Sequence, residues 1–258
     1  MGNLRRFASQ TRLGAWIRVA RRVRATGGTA HALRKLTPGA QWTWGGPMNG
    51  QAGRCEIVRS LGSRVRFSYV VETGTFLGAS TGFLADVTGA SVFTVEASPD
   101  NHRFAQQAFA GRRDITVAPG DSRTFLRQLA VEQALDKPVL FYLDAHWDEA
   151  DLPLWEEIRI ILGNWAHPVI LIDDFEVPGD SGYVFAEYGR GNRLCVEDLI
   201  PHLAPDVEVW CPTLRSEDET GARSGCVVLV RSSAPRGWDA TGVLRKVLPL
   251  SVSDGQPG

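Results

Sequence analysis

From residue 65 onward, short apolar runs alternate with amphipathic stretches. Residues 65–71 (VRFSYVV) are β-branched and aromatic and run into Gly74, which predicts a first strand. A helix over about 78–87 follows, then a strand over 91–95. Residues 99–109 read as a helix with Pro99 in its first turn, and 114–118 as a short strand. Asp121 or Ser122 caps a helix reaching about residue 133. Residues 139–143 (VLFYL) and 169–172 (VILI) are continuously apolar, as expected of central parallel strands covered on both faces. A helix over about 152–162 lies between them, and 206–211 and 226–230 are the last strands. This strand–helix alternation predicts a doubly wound α/β sheet with helices on both faces.

The chain before residue 65 has a different character. Residues 4–24 place Leu13, Trp16, Ile17, Ala20 and Val23 at helical spacing, with Arg18, Arg21 and Arg22 elsewhere on the wheel. Residues 37–54 are rich in Gly and Pro and read as a connector. Residues 1–55 hold ten Arg and Lys and no Asp or Glu, so the other 203 residues carry 18 basic and 29 acidic side chains, a net of −11. The expected organisation is a basic helical extension and connector over 1–60, a main domain over 61–250 and a disordered tail over 251–258. The basic helix is expected to pack on the acidic body or a second subunit, with an anionic membrane surface as the other reading. A transit peptide shares this composition, but Arg18, Arg21 and Arg22 interrupt any secretory apolar core.

Overall composition excludes several classes. At 258 residues, 43% apolar and 22% charged, the chain matches an ordinary globular protein. No apolar run approaches the ~20 residues that span a bilayer. The four cysteines form no C-x-x-C pair, so they are expected to be free buried thiols in a reducing cytoplasm.

Candidate chemistry sits where the strands end, because ligands of open α/β sheets bind beyond the strand carboxyl ends. The first strand leads into Glu72-Thr73-Gly74-Thr75-Phe76-Leu77-Gly78-Ala79-Ser80-Thr81. Gly74 and Gly78 allow a tight turn, but the middle glycine of the dinucleotide fingerprint is missing. Glu96 ends the second strand, 22 residues after Gly74, where a carboxylate can accept from both hydroxyls of a ribose. Asp121 and Ser122 follow the third strand and serve as a helix cap or an adenine contact. The fourth and fifth runs end in Asp144-Ala145-His146-Trp147 and Asp173-Asp174-Phe175. Three carboxylates at one sheet edge repel one another, and a divalent cation with oxygen preference removes that cost. Helix capping or pairing with an arginine such as Arg193 is the other reading.

The segments VVETGTFLGAST, VFTVEAS, GDS, YLDAHW and LIDDF resemble class I S-adenosylmethionine-dependent methyltransferases. The LDAH and IDDF pair is most similar to the bacterial metal-dependent O-methyltransferases of the macrocin type. The resemblance covers about residues 60–230 and implies a Rossmann-like, mostly parallel, seven-stranded sheet. By it, Glu72, Gly74 and Gly78 line the methionine end of the cofactor, with Ser80 and Thr81 nearby. Glu96 holds the ribose, Asp121 and Ser122 flank the adenine, and Asp144, Asp173 and Asp174 ligate Mg²⁺ or Mn²⁺.

The implied reaction is in-line attack of a hydroxyl of a small molecule or sugar on the cofactor methyl group, with the metal lowering the hydroxyl pKa. His146 is the expected base and Asp144 its rival. Residues 175–193, with Phe175, Tyr183, Phe185 and Tyr188, read as a binding loop or a packed one. An NAD(P)-dependent oxidoreductase and a non-catalytic nucleoside-binding or assembly protein are the rival classes. No nucleic-acid partner is expected; a homo-oligomer is compatible with the basic helix. Deleting residues 1–36 is expected to leave the main domain folded, as read by circular dichroism; an unfolded product would place that segment in the core.

Overall fold

The computed structural model describes residues 46–145, 151–188, 192–233 and 242–247. The basic helix over 4–24, the first part of the connector, His146 and the tail over 251–258 lie outside them. One sheet contains β1 (Tyr69–Thr73), β2 (Ser91–Glu96), β3 (Ile115–Pro119), β4 (Pro138–Leu143), β5 (His167–Asp173), β6 (Val207–Pro212), β7 (Cys226–Arg231) and β8 (Leu244–Lys246). The order is β3-β2-β1-β4-β5-β7-β6-β8. Strands β1 to β5 are mutually parallel, while β7 runs antiparallel to both β5 and β6. The fold is therefore the expected doubly wound, mostly parallel α/β sheet, with the short β8 added at the β6 edge.

Helices α1 (Ala52–Arg64), α2 (Ala79–Thr88), α3 (Pro99–Ala108), α4 (Ser122–Glu132), α5 (Leu154–Asn164) and the single turn α6 (Val196–Leu199) surround the sheet. Side chains alternate across it. Tyr69, Val71, Phe141, Leu143, Ile170 and Ile172 face one core with Leu126, Leu129, Ile158 and Ile161 of α4 and α5. Val70, Leu140, Tyr142, Leu171 and Val228 face the other, with Ile57, Val58 and Leu61 of α1 and Leu84 of α2. Both faces of the central strands are thus buried, which is why they read as unbroken apolar runs.

Two boundaries differ from expectation. Strand β1 starts at Tyr69, where pairing with Ser91 and Val139 begins, and residues 65–68 lead into it with Val65 and Phe67 buried. The larger difference is α1, which occupies the region expected to join the connector to the first strand. Its apolar positions Cys55, Val58 and Leu61 recur every three residues and are buried. Its first N–H groups have no local cap. Instead Ala52 N donates to Thr220 Oγ1 (2.8 Å) and Gly53 N to Glu219 Oε1 (3.0 Å). Among the described residues the packed unit thus includes the turn Pro47–Gly50, with Met48 fully buried.

No helix among the described residues is long and apolar enough to cross a membrane. The four cysteines are free and buried. Because Ile57 sits in the core, Ile57→Ala is expected to lower unfolding free energy by about 2–5 kcal/mol. Urea denaturation checks this; a loss within error would return α1 to the status of a detachable linker.

Candidate functional site

The strand order reverses between β1 and β4, so a crevice opens at their carboxyl ends. Gly74 leaves β1 there with φ +92, a left-handed conformation that favours glycine. A Cβ at this position would meet the Asp144 carbonyl oxygen at 2.8 Å. The chain can turn against the exit of β4 only because no side chain is present. Gly74 N and Thr75 N both donate to Val95 O, which fixes the turn against β2.

A cavity lies at this reversal, lined by Gly74, Glu96, Gly120, Asp121, Ser122 and Asp151 among others. Four of the residues expected to bind a nucleoside thus meet in one place. Glu96 is 6% exposed. Its carboxylate accepts from Phe76 N (2.7 Å) and Ser98 N (2.8 Å). Burial raises its pKa, while these two N–H groups and the Asn101 side chain pull it down. Phe76 itself has φ +48, a strained conformation that aims its N–H at Glu96. A carboxylate offers about four lone-pair sites, so capacity for a ligand hydroxyl is left.

Asp121 caps α4, accepting from Arg123 N (3.0 Å) and Thr124 N (3.1 Å). Arg123 bonds both Asp121 and Asp151, which holds Asp121 below the usual carboxylate range and joins the rims of the cavity. The other expected cofactor residues stand behind this lining. Gly78, at φ +81, caps α2, and a Cβ there would strike the Phe109 ring at 2.5 Å. Ser80 Oγ accepts from Met48 N (3.0 Å) and so ties the Pro47–Gly50 turn to α2.

Glu72 is fully buried. Its Oε2 accepts from Thr81 and from Thr94 Oγ1 (2.7 Å), whereas Oε1 has no partner. Burial pushes its pKa up to about 8, and Asp144 and Glu96 add to the rise. An unpartnered carboxyl oxygen near the crevice leaves a hydrogen-bonding position for a ligand. Glu157, on α5, went unforeseen. It is fully buried and faces Thr73 and Ser122 without a closed hydrogen bond, and burial pushes its pKa up to about 7.

Asp144, Asp173 and Asp174 do come together, with one oxygen of each within 4.8 Å of the others. That spacing suits a cation. The surroundings of Asp173 do not. Its Oδ1 accepts from Arg54 Nη1, Asp174 N (2.5 Å) and Ser224 Oγ (3.2 Å). Its Oδ2 accepts from Asn49 Nδ2 (3.0 Å) and Tyr142 OH (2.6 Å). Five donors saturate a carboxylate. A divalent ion therefore does not fit at Asp173 in this arrangement. The charge compensation expected from a metal comes instead from Arg54. Tyr142 also reaches Asp144 Oδ2 at 3.4 Å, and burial keeps its phenol pKa well above the ordinary value. Asn49, Arg54, Tyr142 and Ser224 were not foreseen, because the only local signal was a lone Arg in a Gly-rich stretch.

No protein-family model and no curated protein matches the chain. Solved structures do. A putative caffeoyl-CoA O-methyltransferase from Staphylococcus aureus aligns with TM-score 0.51 at 14% identity, over 83% of this chain and 97% of that one. The two share a fold, a Rossmann-like, doubly wound α/β sheet. An O-methyltransferase from Bacillus cereus in complex with SAH aligns with TM-score 0.49 at 19% identity, over 69% of this chain and 79% of that one.

The two most strongly raised carboxyls set a pH dependence. Glu72 and Glu157 keep their protons in the folded state up to about 8 and 7, against an ordinary value of 4.5. Between 4.5 and those values the folded state binds more protons than the unfolded one. Unfolding free energy is therefore expected to fall as pH rises through this window, and Glu72→Gln with Glu157→Gln to flatten the slope. Urea melts across the window test it; an unchanged slope in the double variant would refute the assignment.

Proposed function

We propose that the chain is an S-adenosylmethionine-dependent methyltransferase that acts on a hydroxyl oxygen of a small molecule or sugar. The observation that carries this reading is the position of Glu96. Its carboxylate is pinned by two backbone N–H groups, keeps acceptor capacity and faces a cavity at the strand-order reversal. The methyltransferase fold supports the same reading.

Bound S-adenosylmethionine supplies an electrophilic methyl group, whose transfer forms an O–C bond, breaks a C–S bond and releases S-adenosylhomocysteine. The chain's own part is holding and orienting. Glu96 accepts from the ribose hydroxyls, and Asp121 and Ser122 border the adenine. Gly74 brings its backbone against the sulfonium end. Glu72, neutral up to about pH 8 and with Oε1 unpartnered, offers the methionine moiety a hydrogen-bonding carboxyl. His146 is the expected acceptor of the attacking hydroxyl's proton, and Asp144, at the exit of β4, its rival. Fixing two reactants in one crevice lowers the barrier by removing the entropy of their encounter.

S-adenosylmethionine and S-adenosylhomocysteine are expected to raise the thermal midpoint, and NAD to leave it unchanged. Glu96→Ala is expected to weaken S-adenosylhomocysteine binding by about 1.5–3 kcal/mol. Calorimetric titration measures this, and equal affinity in wild type and variant would remove Glu96 from the ribose.

A further inference from the structure

Arg54 is 1% exposed and its partner Asp173 is wholly buried. A guanidinium in that position needs partners for its charge; here the two Nη atoms find them, while the buried Nε has none among the described residues. Its Nη1 donates to Asp173, and its Nη2 donates to the carbonyls of Ser224 and Gly225 (2.8 Å to the latter). The segment that carries it is clamped in place. Gln51 donates to Ser224 O (2.9 Å) and accepts from Ser224 N (2.7 Å). Asn49 donates to Asp173 through its side chain, while its carbonyl accepts from Ala222 N (3.1 Å). Residues 49–54 therefore deliver one fixed cation to the end of β5, beneath the edge that also holds Asp144 and Asp174.

We propose that Arg54 is the resident cation of the acceptor end of this site. It occupies the role of a divalent ion on Asp173 and is a positioning residue: by fixing Asp173 it sets Tyr142, which donates to Asp173 and reaches Asp144. The acceptor end is thereby organised by the chain itself. The inference rests on the methyltransferase reading for the term acceptor end; the ion pair and its consequence for metal binding stand on the contacts alone.

The test titrates Mn²⁺ alone into the metal-stripped full-length protein and follows loss of the free-ion paramagnetic resonance signal. Wild type is expected to show no saturable site. Arg54→Lys keeps a positive charge at Asp173 and is expected to behave like wild type. Arg54→Met strips the charge and frees Asp173, and is expected to bind Mn²⁺ at least about tenfold more tightly than wild type does. A merely structural role for Arg54 would leave the Lys and Met variants alike. Should the Met variant fail to fold, the wild-type titration still decides. A stoichiometric wild-type site that Asp173→Asn abolishes overturns the proposal, and so does a folded Arg54→Met protein that gains no site. Calorimetry with S-adenosylhomocysteine on the same wild-type sample tests the methyltransferase reading separately; absence of binding would sink that reading and leave the Mn²⁺ result standing.

Discussion

A carboxylate buried at the end of a central strand must be compensated, or the strand end cannot stay dry. Asp173 is in that position, and Arg54 answers it from the first turn of α1. Removing one partner of such a pair costs about 3–5 kcal/mol, because the other charge is stranded in a medium that solvates it poorly. The pair does more than neutralise. Through Asn49, Gln51 and Ser224 it ties α1 to β5 and to the approach of β7. Helix α1 in turn covers one face of the sheet with Ile57, Val58 and Leu61. A single electrostatic requirement thus fixes the placement of α1 and the shape of one end of the crevice.

The other end of the crevice is built mainly from backbone. Gly74 lets β1 turn against β4, and the turn then supplies the Phe76 N–H that holds Glu96. Asp121 spends its oxygens on capping α4 and on Arg123. One end of the crevice is therefore organised by N–H groups around a carboxylate, and the other by a guanidinium beneath carboxylates. A ligand with a polyhydroxylated part suits the first end. The fixed acids of the second suit a group that must lose a proton.

The central strands were legible because burial on both faces leaves an unbroken apolar run, as in 139–143 and 169–172. Gly74, Glu96, Asp121 and Ser122 were legible because each follows a recognisable strand. The convergence of Asp144, Asp173 and Asp174 was legible for the same reason. What pairs with Asp173 was not, since Arg54 lies 119 residues away in sequence and no local pattern marks it. Helix α1 was obscured by the Gly and Pro before it and by the absence of a local cap. Glu157 was hidden by its setting: on the surface of a helix it reads as an ordinary solvated acid. Strand β8 is three residues long and pairs only at the β6 edge, so its periodicity carries no signal.

The capping of α1 by Thr220 and Glu219 has a temporal meaning. The partners are separated by 168 and 166 residues. A chain leaving the ribosome makes α1 long before the side chains that satisfy its first N–H groups exist. Closing so long a loop is entropically costly and slow compared with local helix formation. The strands β1 to β5 are synthesised in between and can pair without it. The Glu96 end of the crevice is thus assembled from contiguous chain, whereas the end under Asp173 is completed only when residues 49–54 meet residues 219–225. During synthesis the Glu96 cavity can form before the opposite end of the crevice is closed.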